Sequence, residues 1–351
     1  MKKNKYVCEL GPGDEYPGGI LSVINDYMKS EYLNQFKLKH IVTVSKKHKI
    51  LGFLKGSFIY ILLCIQGRVR LAHIHMSERG SCVRAICLAV ISNIFNVPFI
   101  IHSHGSEIIQ YYNQLTLIRR YFFDRAMNSA KRIIILTPGW SKFWGKIVNK
   151  KKLVVIPNFV KVSSELDKKY KKDGRLNVLF LGYVGERKGT YDLVKAINYI
   201  VHTKNERNIH LYIAGNGELS KCSALVKKYE LKDYITIIGW ANDEKKANLF
   251  SKSDLLVLPS KYESFGIVIL EAMSHKLAVI CGDSGFTKEL ISPGEDGLVA
   301  KTGDYVDLAE KILFSSNNLQ KFGENGYEKV KRDFSEKVVM KKVRRLYEEV
   351  S

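Results

Sequence analysis

Short, mostly apolar runs alternate with longer stretches of helical periodicity along most of this chain. The runs Leu71–His75, Val97–Ile101 and Leu255–Leu258 have the length and composition of strands that are covered on both faces. A helical pattern separates the first two, between residues 80 and 93. Strands that alternate with helices predict an α/β fold with parallel sheets.

This alternation is interrupted once. Residues 161–175 are polar, highly charged and without apolar periodicity, which is typical of a linker. At 351 residues, the length allows about two domains. We therefore predict one Rossmann-like domain over residues 1–160 and a second over residues 176–333. Residues 334–351 form a basic, amphipathic C-terminal helix.

Residues 254–271 contain the pattern of a buried strand, a polar loop and a helix. Ser264 is expected to cap this helix, and Gly266 allows a ligand to approach the backbone closely. A helix N-terminus that follows a strand binds anions through its free N–H groups and its dipole. The pattern predicts a phosphate-bearing ligand here, with the carboxylates of Glu263 and Glu271 available for hydroxyl groups.

Two further loops have a similar position before a helix. Arg187 and Lys188 stand in the loop YVGERKGT, where two cations and free amides favour a diphosphate. Gly18 and Gly19 end the loop GPGDEYPGG, which can cradle a phosphate or admit an acceptor. A solvated charged loop and a tight turn are the respective alternative interpretations.

Two histidines, His102 and His104, follow the predicted strand Val97–Ile101 at the sheet edge where open α/β sheets bind ligands. One of them is a candidate to contact a substrate hydroxyl. A zinc site is disfavoured, because the spacing offers no third ligand nearby and no HExxH motif occurs. We expect His73 and His75 to be structural or at the sheet edge.

The net charge of +21 is concentrated in the first half of the chain. A basic segment of this kind suits an anionic partner: nucleic acid, an anionic membrane surface or a phosphorylated substrate. The alternative interpretation is that the charge serves solubility alone. Residues 46–70 place basic side chains around an apolar helix, which is either an interfacial helix or an ordinary packing helix. The longest apolar stretch, about residues 56–65, is too short to span a bilayer.

The six scattered cysteines form no CxxC pair, and no secretory signal is visible, so we expect a reducing, cytoplasmic compartment.

Several motifs occur together in a fixed order. Glu263 and Glu271 are separated by seven residues. The other motifs are HSHGSE at 102–107, VIPNF at 155–159, FLG and KG within 180–189, IAGNGE at 213–218, DLLVLPS at 254–260 and PGEDGLV at 293–299. In their order and spacing, they resemble the retaining nucleotide-sugar glycosyltransferases of the GT-B fold, family four.

The resemblance implies two Rossmann-like domains whose parallel sheets face each other across a cleft. It also implies that the first domain binds the acceptor, that the second binds the donor, and that the C-terminal helix returns to the first domain. The implied reaction moves a hexosyl group from a UDP- or GDP-linked sugar to an acceptor hydroxyl. The anomeric configuration is retained.

The family's residue roles extend to matching positions in the second domain. Lys188 corresponds to the diphosphate-binding lysine, and Arg187 is expected to supply the second cation because Tyr183 occupies the position of the family's arginine. Glu263 corresponds to the glutamate that faces the donor sugar, and Glu271 to the one that binds the ribose hydroxyls.

Further contacts are implied around these residues. The backbone N–H groups of Phe265, Gly266 and Ile267, next to Ser264, are expected to meet sugar hydroxyls or the β-phosphate. In the first domain, His104 corresponds to the histidine that contacts the transferred sugar. Gly19 corresponds to the glycine of the first loop that allows close approach.

We predict that the reaction needs no metal and no cofactor, since the only ExD element, Glu165–Asp167, lies in the lysine-rich linker and no DxD element occurs. The acceptor is expected to be a lipid-linked glycan or oligosaccharide in bacterial surface polysaccharide synthesis, met at the inner face of the cytoplasmic membrane. No nucleic acid partner is expected. The alternatives are a nucleotide-sugar isomerase (epimerase) of the same fold and a non-enzymatic nucleic-acid binder.

Overall fold

The computed structural model describes residues 5–15, 18–45, 48–162 and 174–351. The chain divides into two compact units: Met1–Asn158 with Glu336–Ser351, and Phe159–Ser335. Most of the predicted linker, residues 163–173, lies outside the described residues, as do Lys46 and Lys47.

The first unit contains a six-stranded parallel sheet. Its strands are β1 (Tyr6–Gly11), β2 (Lys37–Val42), β3 (Val69–Met76), β4 (Phe99–Ser103), β5 (Arg132–Ile135) and β6 (Leu153–Val155). They are arranged in the order β2-β1-β3-β4-β5-β6. The helices of this part of the chain are α1 (Gly19–Lys29), α2 (Lys49–Ile65), α3 (Gly80–Ile94), α4 (Ile108–Asn113), α5 (Leu117–Ser129) and α6 (Ser141–Trp144).

The second unit repeats this architecture. Its strands are β7 (Leu176–Leu181), β8 (Ile209–Ala214), β9 (Ile235–Gly239), β10 (Leu255–Leu258), β11 (Ala278–Gly282) and β12 (Leu298–Ala300), in the parallel order β12-β11-β10-β7-β8-β9. Its helices are α7 (Thr190–Asn198), α8 (Leu219–Lys228), α9 (Asp243–Lys252), α10 (Ile267–Ser274), α11 (Tyr305–Ser316) and α12 (Leu319–Asp333). The predicted α/β class with parallel sheets is therefore confirmed.

The C-terminal helix α13 (Glu336–Val350) belongs to the first unit. Its apolar stripe buries Val339, Val343 and Leu346, among others, as expected of an amphipathic helix. The Tyr347 ring packs edge-on against Phe36, with 5.3 Å between ring centroids. Residues at opposite ends of the chain thus share one core.

One strand boundary differs from the sequence prediction. The strand expected at Val97–Ile101 begins instead at Phe99 and ends at Ser103. The Val97 N–H donates to the Ser92 carbonyl at the end of α3, at 2.8 Å, and Pro98 has no N–H for a ladder. His102 consequently lies within β4 rather than after it.

The chain after β5 forms a 3₁₀ turn at Pro138–Trp140 and then the single turn of α6.

Close backbone packing fixes α2 against the end of β2. A Cβ atom at Gly56 would lie only 2.2 Å from the Val42 carbonyl oxygen, and one at Gly52 would lie 2.6 Å from the Ser45 nitrogen. Only glycine allows this approach, so the α2 backbone contacts the strand end directly. Among the described residues, no helix combines the length and hydropathy needed to cross a bilayer.

This packing predicts opposite effects for two glycine substitutions in helices. Gly56→Ala should destabilise the protein by about 1–3 kcal/mol, because the clash with backbone outweighs the better helix propensity of alanine. Gly80→Ala is the control, since its Cβ would meet only the Arg84 side chain at 3.5 Å. In urea denaturation, that variant should have the same free energy of unfolding as the wild type, or one higher by up to about 1 kcal/mol. A Gly56→Ala midpoint at or above that of the wild type would contradict the packing argument.

Candidate functional site

The second unit gathers the predicted donor residues at the carboxyl edge of its sheet. Strand β10 lies between β11 and β7, so the loops that follow β7 and β10 are neighbours. The loop after β7 carries Arg187 and Lys188, and the loop after β10 carries Glu263. Parallel pairing therefore brings together residues that are far apart in the sequence.

Glycines allow the loops after β7 and β8 to pack on each other. Gly215 has φ +147°, and a Cβ there would lie 1.7 Å from the Gly182 carbonyl oxygen. A Cβ atom at Gly217 would lie 2.3 Å from the Val184 carbonyl oxygen. The glycines of the IAGNGE motif thus support the shape of the neighbouring loop.

The loop that carries the two cations is also tied to the segment after β10. Gly189 adopts φ +70°, and a Cβ there would meet the Pro259 carbonyl oxygen at 2.1 Å. The Lys261 N–H donates to the Arg187 carbonyl at 2.9 Å. These contacts fix the 3₁₀ turn Glu186–Lys188 beside the loop that ends at α10.

Lys188 and Glu263 form an ion pair between these two loops. Their side chains are only 14% and 11% exposed, so the charges are partly shielded from water. The Ser264 N–H also donates to Glu263 Oε1 at 3.2 Å, which helps to orient the carboxylate. Two candidate residues from separate loops therefore meet in the structure.

The helix after this loop begins differently from the prediction. Ser264 is not its N-cap; α10 begins at Ile267 with Gly266 as the cap residue in the left-handed region, at φ 79° and ψ 58°. Phe265 is buried, so it anchors the loop, and the left-handed glycine turns the backbone into the helix. The N–H groups of the first turn are then presented at the sheet edge, where an anion can be bound.

Glu271 lies within α10 and has a different partner. Its carboxylate forms an ion pair with Lys246 of α9 at 2.7 Å. Lys246 was missed by the sequence reasoning, because one lysine in a polar helix carries no distinguishing signal. The two glutamates thus have separate cationic partners, which argues against an acid/base dyad.

In the first unit, the predicted residue His104 directly follows β4, whereas Gly19 stands at the end of the loop that follows β1. Gly19 is the first residue of α1, and a Cβ there would meet no other atom within 4 Å. His104 is 9% exposed and lies beside His75, with 3.0 Å between His104 Nε2 and His75 Nδ1. His102 is buried within β4 and is therefore further from solvent than the sequence indicated.

Sequence reasoning missed the partners of these histidines. Glu9 in β1 is fully buried and accepts from His75 Nε2 at 2.8 Å and from the Tyr347 hydroxyl at 2.6 Å. His73 Nδ1 lies 2.6 Å from the Tyr347 oxygen, so His73 and His75 are buried members of a cluster rather than edge residues. A single carboxylate within the apolar strand YVCELG was the available signal.

Burial controls the charges in this cluster. Desolvation lowers the pKa of His75 to about 4, and it lowers those of His102 and His104 well below the ordinary value. Burial alone would raise the pKa of Glu9, but His73 and His75 hold it well below its usual range. At neutral pH, therefore, Glu9 is ionised, and His75, His102 and His104 are neutral.

His73, His75 and His102 are close enough to be considered as metal ligands, with their nitrogen atoms within 4.8 Å of one another. Their rings are stacked, however, at interplanar angles of 19° for His73 and His75 and 14° for His73 and His102. Nitrogen lone pairs lie in the ring planes, so stacked rings do not direct them at a common point. The arrangement suits hydrogen bonds better than metal coordination.

Comparison with known proteins gives the context for this geometry. Residues 162–329 match the sequence profile of the family described as glycosyl transferases, group 1. An uncharacterised glycosyltransferase of Methanocaldococcus jannaschii is 31% identical over 336 residues, which cover 93% of this chain and 88% of that relative. The capsular polysaccharide biosynthesis glycosyltransferase CapM of Staphylococcus aureus is 26% identical over 192 residues, covering 53% of this chain and 50% of CapM.

Among solved structures, Anabaena HepE in complex with UDP superposes with a TM-score of 0.79 at 16% identity. The superposition covers 98% of this chain and 100% of HepE. At this level of identity, the likeness shows the fold alone, and the GT-B fold expected from the sequence is confirmed.

The loop packing predicts that two facing glycines respond differently to substitution. Gly215→Ala should destabilise the second unit by about 2 kcal/mol or more, because of its positive φ and the adjacent carbonyl. Gly182→Ala should cost much less, since its Cβ would meet only the Phe180 ring at 3.8 Å. Urea denaturation followed by tryptophan fluorescence measures both, and equal midpoints would contradict the predicted contact.

Proposed function

Since the chain belongs to the family of glycosyl transferases, group 1, we propose that it transfers a hexosyl group from a nucleoside-diphosphate sugar to an acceptor hydroxyl. The observation that carries the proposal is the partly buried pair of Lys188 and Glu263 at the edge where β7 and β10 end. A cation and a carboxylate at one point match the two parts of such a donor, a diphosphate and a polyhydroxylated sugar.

The diphosphate is assigned to Lys188, Arg187 and the N-terminus of α10. The charge of the diphosphate increases as the sugar leaves, so fixed cations and N–H groups stabilise the transition state more than the ground state. When a diphosphate binds Lys188, Glu263 is released from its ion pair. Its carboxylate oxygens then accept hydrogen bonds from sugar hydroxyls.

The ribose is assigned to Glu271. A carboxylate has two oxygens and can accept from both hydroxyls of a vicinal diol. Its present partner, Lys246, neutralises the carboxylate until the diol arrives. This places the nucleoside end of the donor on α10 and the sugar end near Glu263, with the N–H groups of Phe265, Gly266 and Ile267 between them.

The reaction is proposed to proceed with retention and without metal. The bond between the anomeric carbon and the phosphate oxygen breaks, and the acceptor oxygen bonds to the same face of that carbon. The acceptor proton passes to the departing diphosphate, so no protein base is required. In the first unit, His104 is assigned to a contact with the transferred sugar. Gly19 is assigned to the close approach of that sugar to the backbone.

The acceptor is proposed to be a lipid-linked glycan of a bacterial surface polysaccharide, met at the inner face of the cytoplasmic membrane. The name of the Staphylococcus aureus relative, which refers to capsular polysaccharide, supports this assignment. So does the surface of the first unit, where an apolar face is combined with positive charge.

By the apolar face we mean the exposed apolar side chains of α2 and α5, two helices that both contact α3. On α2, the exposed side chains follow a helical spacing from Ile50, which is 78% exposed, to Ile65. The members of the face are Ile50, Leu51, Leu54, Phe58, Leu62 and Ile65 of α2 and Leu117, Ile118, Tyr121 and Phe122 of α5.

Exposed cations, including Lys49, Lys55 and Arg119, accompany the apolar face. An apolar helix face with cations beside it is typical of proteins that rest on anionic bilayers. We therefore assign the apolar face to an anionic membrane surface.

The donor assignment predicts distinct kinetic effects for the two glutamates. Glu271→Ala should chiefly raise the Kd for the donor, by about tenfold, because two hydroxyl contacts are lost. Glu263→Ala should mainly lower kcat, because its contacts are made to the sugar that moves. Release of nucleoside diphosphate from a panel of UDP- and GDP-sugars, with and without acceptor, measures kcat, and titration with the active donor measures its Kd.

Glu310→Ala is the matched control, since it breaks the Lys204–Glu310 ion pair on the helical surface of the same unit. That variant should behave as the wild type. Equal losses of donor affinity with normal turnover in both glutamate variants would refute the division of roles. A new sugar epimer without acceptor would identify an isomerase instead.

The membrane assignment predicts that charge removal weakens vesicle binding. Replacing Lys46, Lys47, Lys49 and Lys55 by glutamine should reduce co-sedimentation with anionic vesicles by at least about tenfold, at about 1 kcal/mol per cation. Leu54→Ser with Phe58→Ser should reduce it in neutral vesicles as well.

The control replaces four exposed lysines of the second unit, namely Lys221, Lys227, Lys228 and Lys232. It matches the change in net charge and should leave vesicle binding intact. Unchanged binding in the α2 variant, or equal losses in both sets, would rule out docking through this face.

A further inference from the structure

The proposed reaction uses His104 but leaves its buried neighbours without a role. We call these neighbours, together with His104, the Glu9 cluster. It consists of Glu9, His73, His75, His102, His104 and Tyr347. Each of these residues is at least nine-tenths buried, and they come from β1, β3, α13 and the end of β4.

The positions of the protons in this cluster follow from Glu9. An ionised carboxylate can only accept hydrogen bonds. The Tyr347 hydroxyl donates to Glu9 Oε1 at 2.6 Å. His75 Nε2 lies 2.8 Å from Oε2 and must therefore carry the proton in that contact.

The same reasoning extends from His75 to His104. A neutral imidazole carries one proton, so a proton on His75 Nε2 leaves Nδ1 as an acceptor. The ring nitrogen facing that acceptor is His104 Nε2, at 3.0 Å. This contact is a hydrogen bond only if His104 carries its own proton on Nε2, which leaves His104 Nδ1 with its lone pair.

We propose that Glu9 and His75 are positioning residues that hold His104 in the Nε2–H tautomer, so that Nδ1 accepts a hydrogen bond from a hydroxyl group of the transferred sugar. The inference rests on the proposed function for the identity of that hydroxyl. The tautomer itself is a property of the protein alone.

A second branch of the Glu9 cluster supplies a control. Because the Tyr347 hydroxyl donates to Glu9, its oxygen accepts from His73 Nδ1 at 2.6 Å. The other ring nitrogen, His73 Nε2, lies 3.2 Å from His102 Nδ1. This branch shares Glu9 but leads to His102, so removing the Tyr347 hydroxyl leaves the link from Glu9 through His75 to His104 in place. His73 Nδ1 then keeps its direct contact with Glu9 Oε2, at 3.1 Å.

The tautomer can be measured directly in the full-length protein. With ¹⁵N-labelled histidine, long-range ¹H–¹⁵N spectra distinguish the two neutral tautomers and the imidazolium, and His104→Asn identifies the His104 signals. We expect the Nε2–H tautomer of His104 at pH 7.5. An Nδ1–H tautomer or an imidazolium in the wild type would overturn the proposal, whatever the variants do.

Glu9→Gln tests the role of the carboxylate. The Tyr347 hydroxyl still needs an acceptor, so the amide nitrogen takes the position that faces His75. His73 Nδ1 also lies 3.1 Å from this position, but its shorter contact, at 2.6 Å, is with the Tyr347 oxygen. His75 Nε2 then becomes the acceptor, His75 Nδ1 donates to His104 Nε2, and the His104 proton moves to Nδ1. The spectrum should show this reversal, and kcat for the active nucleotide-sugar should fall about tenfold, as for one lost hydrogen bond.

Tyr347→Phe is the matched variant. It also removes a buried hydrogen bond to Glu9, but it should keep the Nε2–H tautomer of His104, with kcat within about twofold of the wild type. Equal effects of the two variants on tautomer and kcat would reduce the Glu9 cluster to a structural role. Should no nucleotide-sugar react with the wild type, the proposed function fails, while the wild-type spectrum still decides the tautomer.

Discussion

Parallel pairing is the constraint on which the rest of this structure depends. When all strands of a sheet run in one direction, all their carboxyl ends lie at one edge, and the loops that follow them become neighbours. In the second unit, this places the loop after β7 beside the loop after β10, and Lys188 against Glu263. In the first unit, it places β4 next to β3, so that the histidines of both strands form one cluster.

Close backbone contacts add precision to this arrangement. A sheet brings loops together only roughly, whereas Gly189 against Pro259 and Gly215 against Gly182 fix the separation of their backbones. Side chains at these positions would push the loops apart. The cationic turn at Arg187 and Lys188 is therefore held in place before any ligand arrives, which suits electrostatic stabilisation by preorganised groups.

In the first unit, burial rather than close backbone contact holds the polar residues in place. An ionised carboxylate inside a sheet is costly unless several donors satisfy it. Glu9 meets this requirement with His75 and with Tyr347, a residue of the C-terminal helix. The last helix of the chain is thus coupled to the first strand by a polar contact as well as by its apolar stripe.

The sequence by itself determined the class of fold, the order of most strands and helices, and the family. These follow from local periodicity and from motifs in which glycine, proline and charged residues have fixed positions. It also identified Lys188, Glu263 and Glu271 as candidates, because strand, loop and helix patterns are local. The cap of α10 was assigned to Ser264 instead of Gly266, since the sequence does not show which residue adopts the left-handed conformation.

Only the tertiary structure decided which residues share an environment. The ion pair of Glu271 with Lys246 and the contact of Glu9 with Tyr347 join residues from separate elements. No periodicity records such contacts, because they depend on how the elements pack. The pKa values of the buried histidines were equally out of reach, since burial is a property of the folded unit.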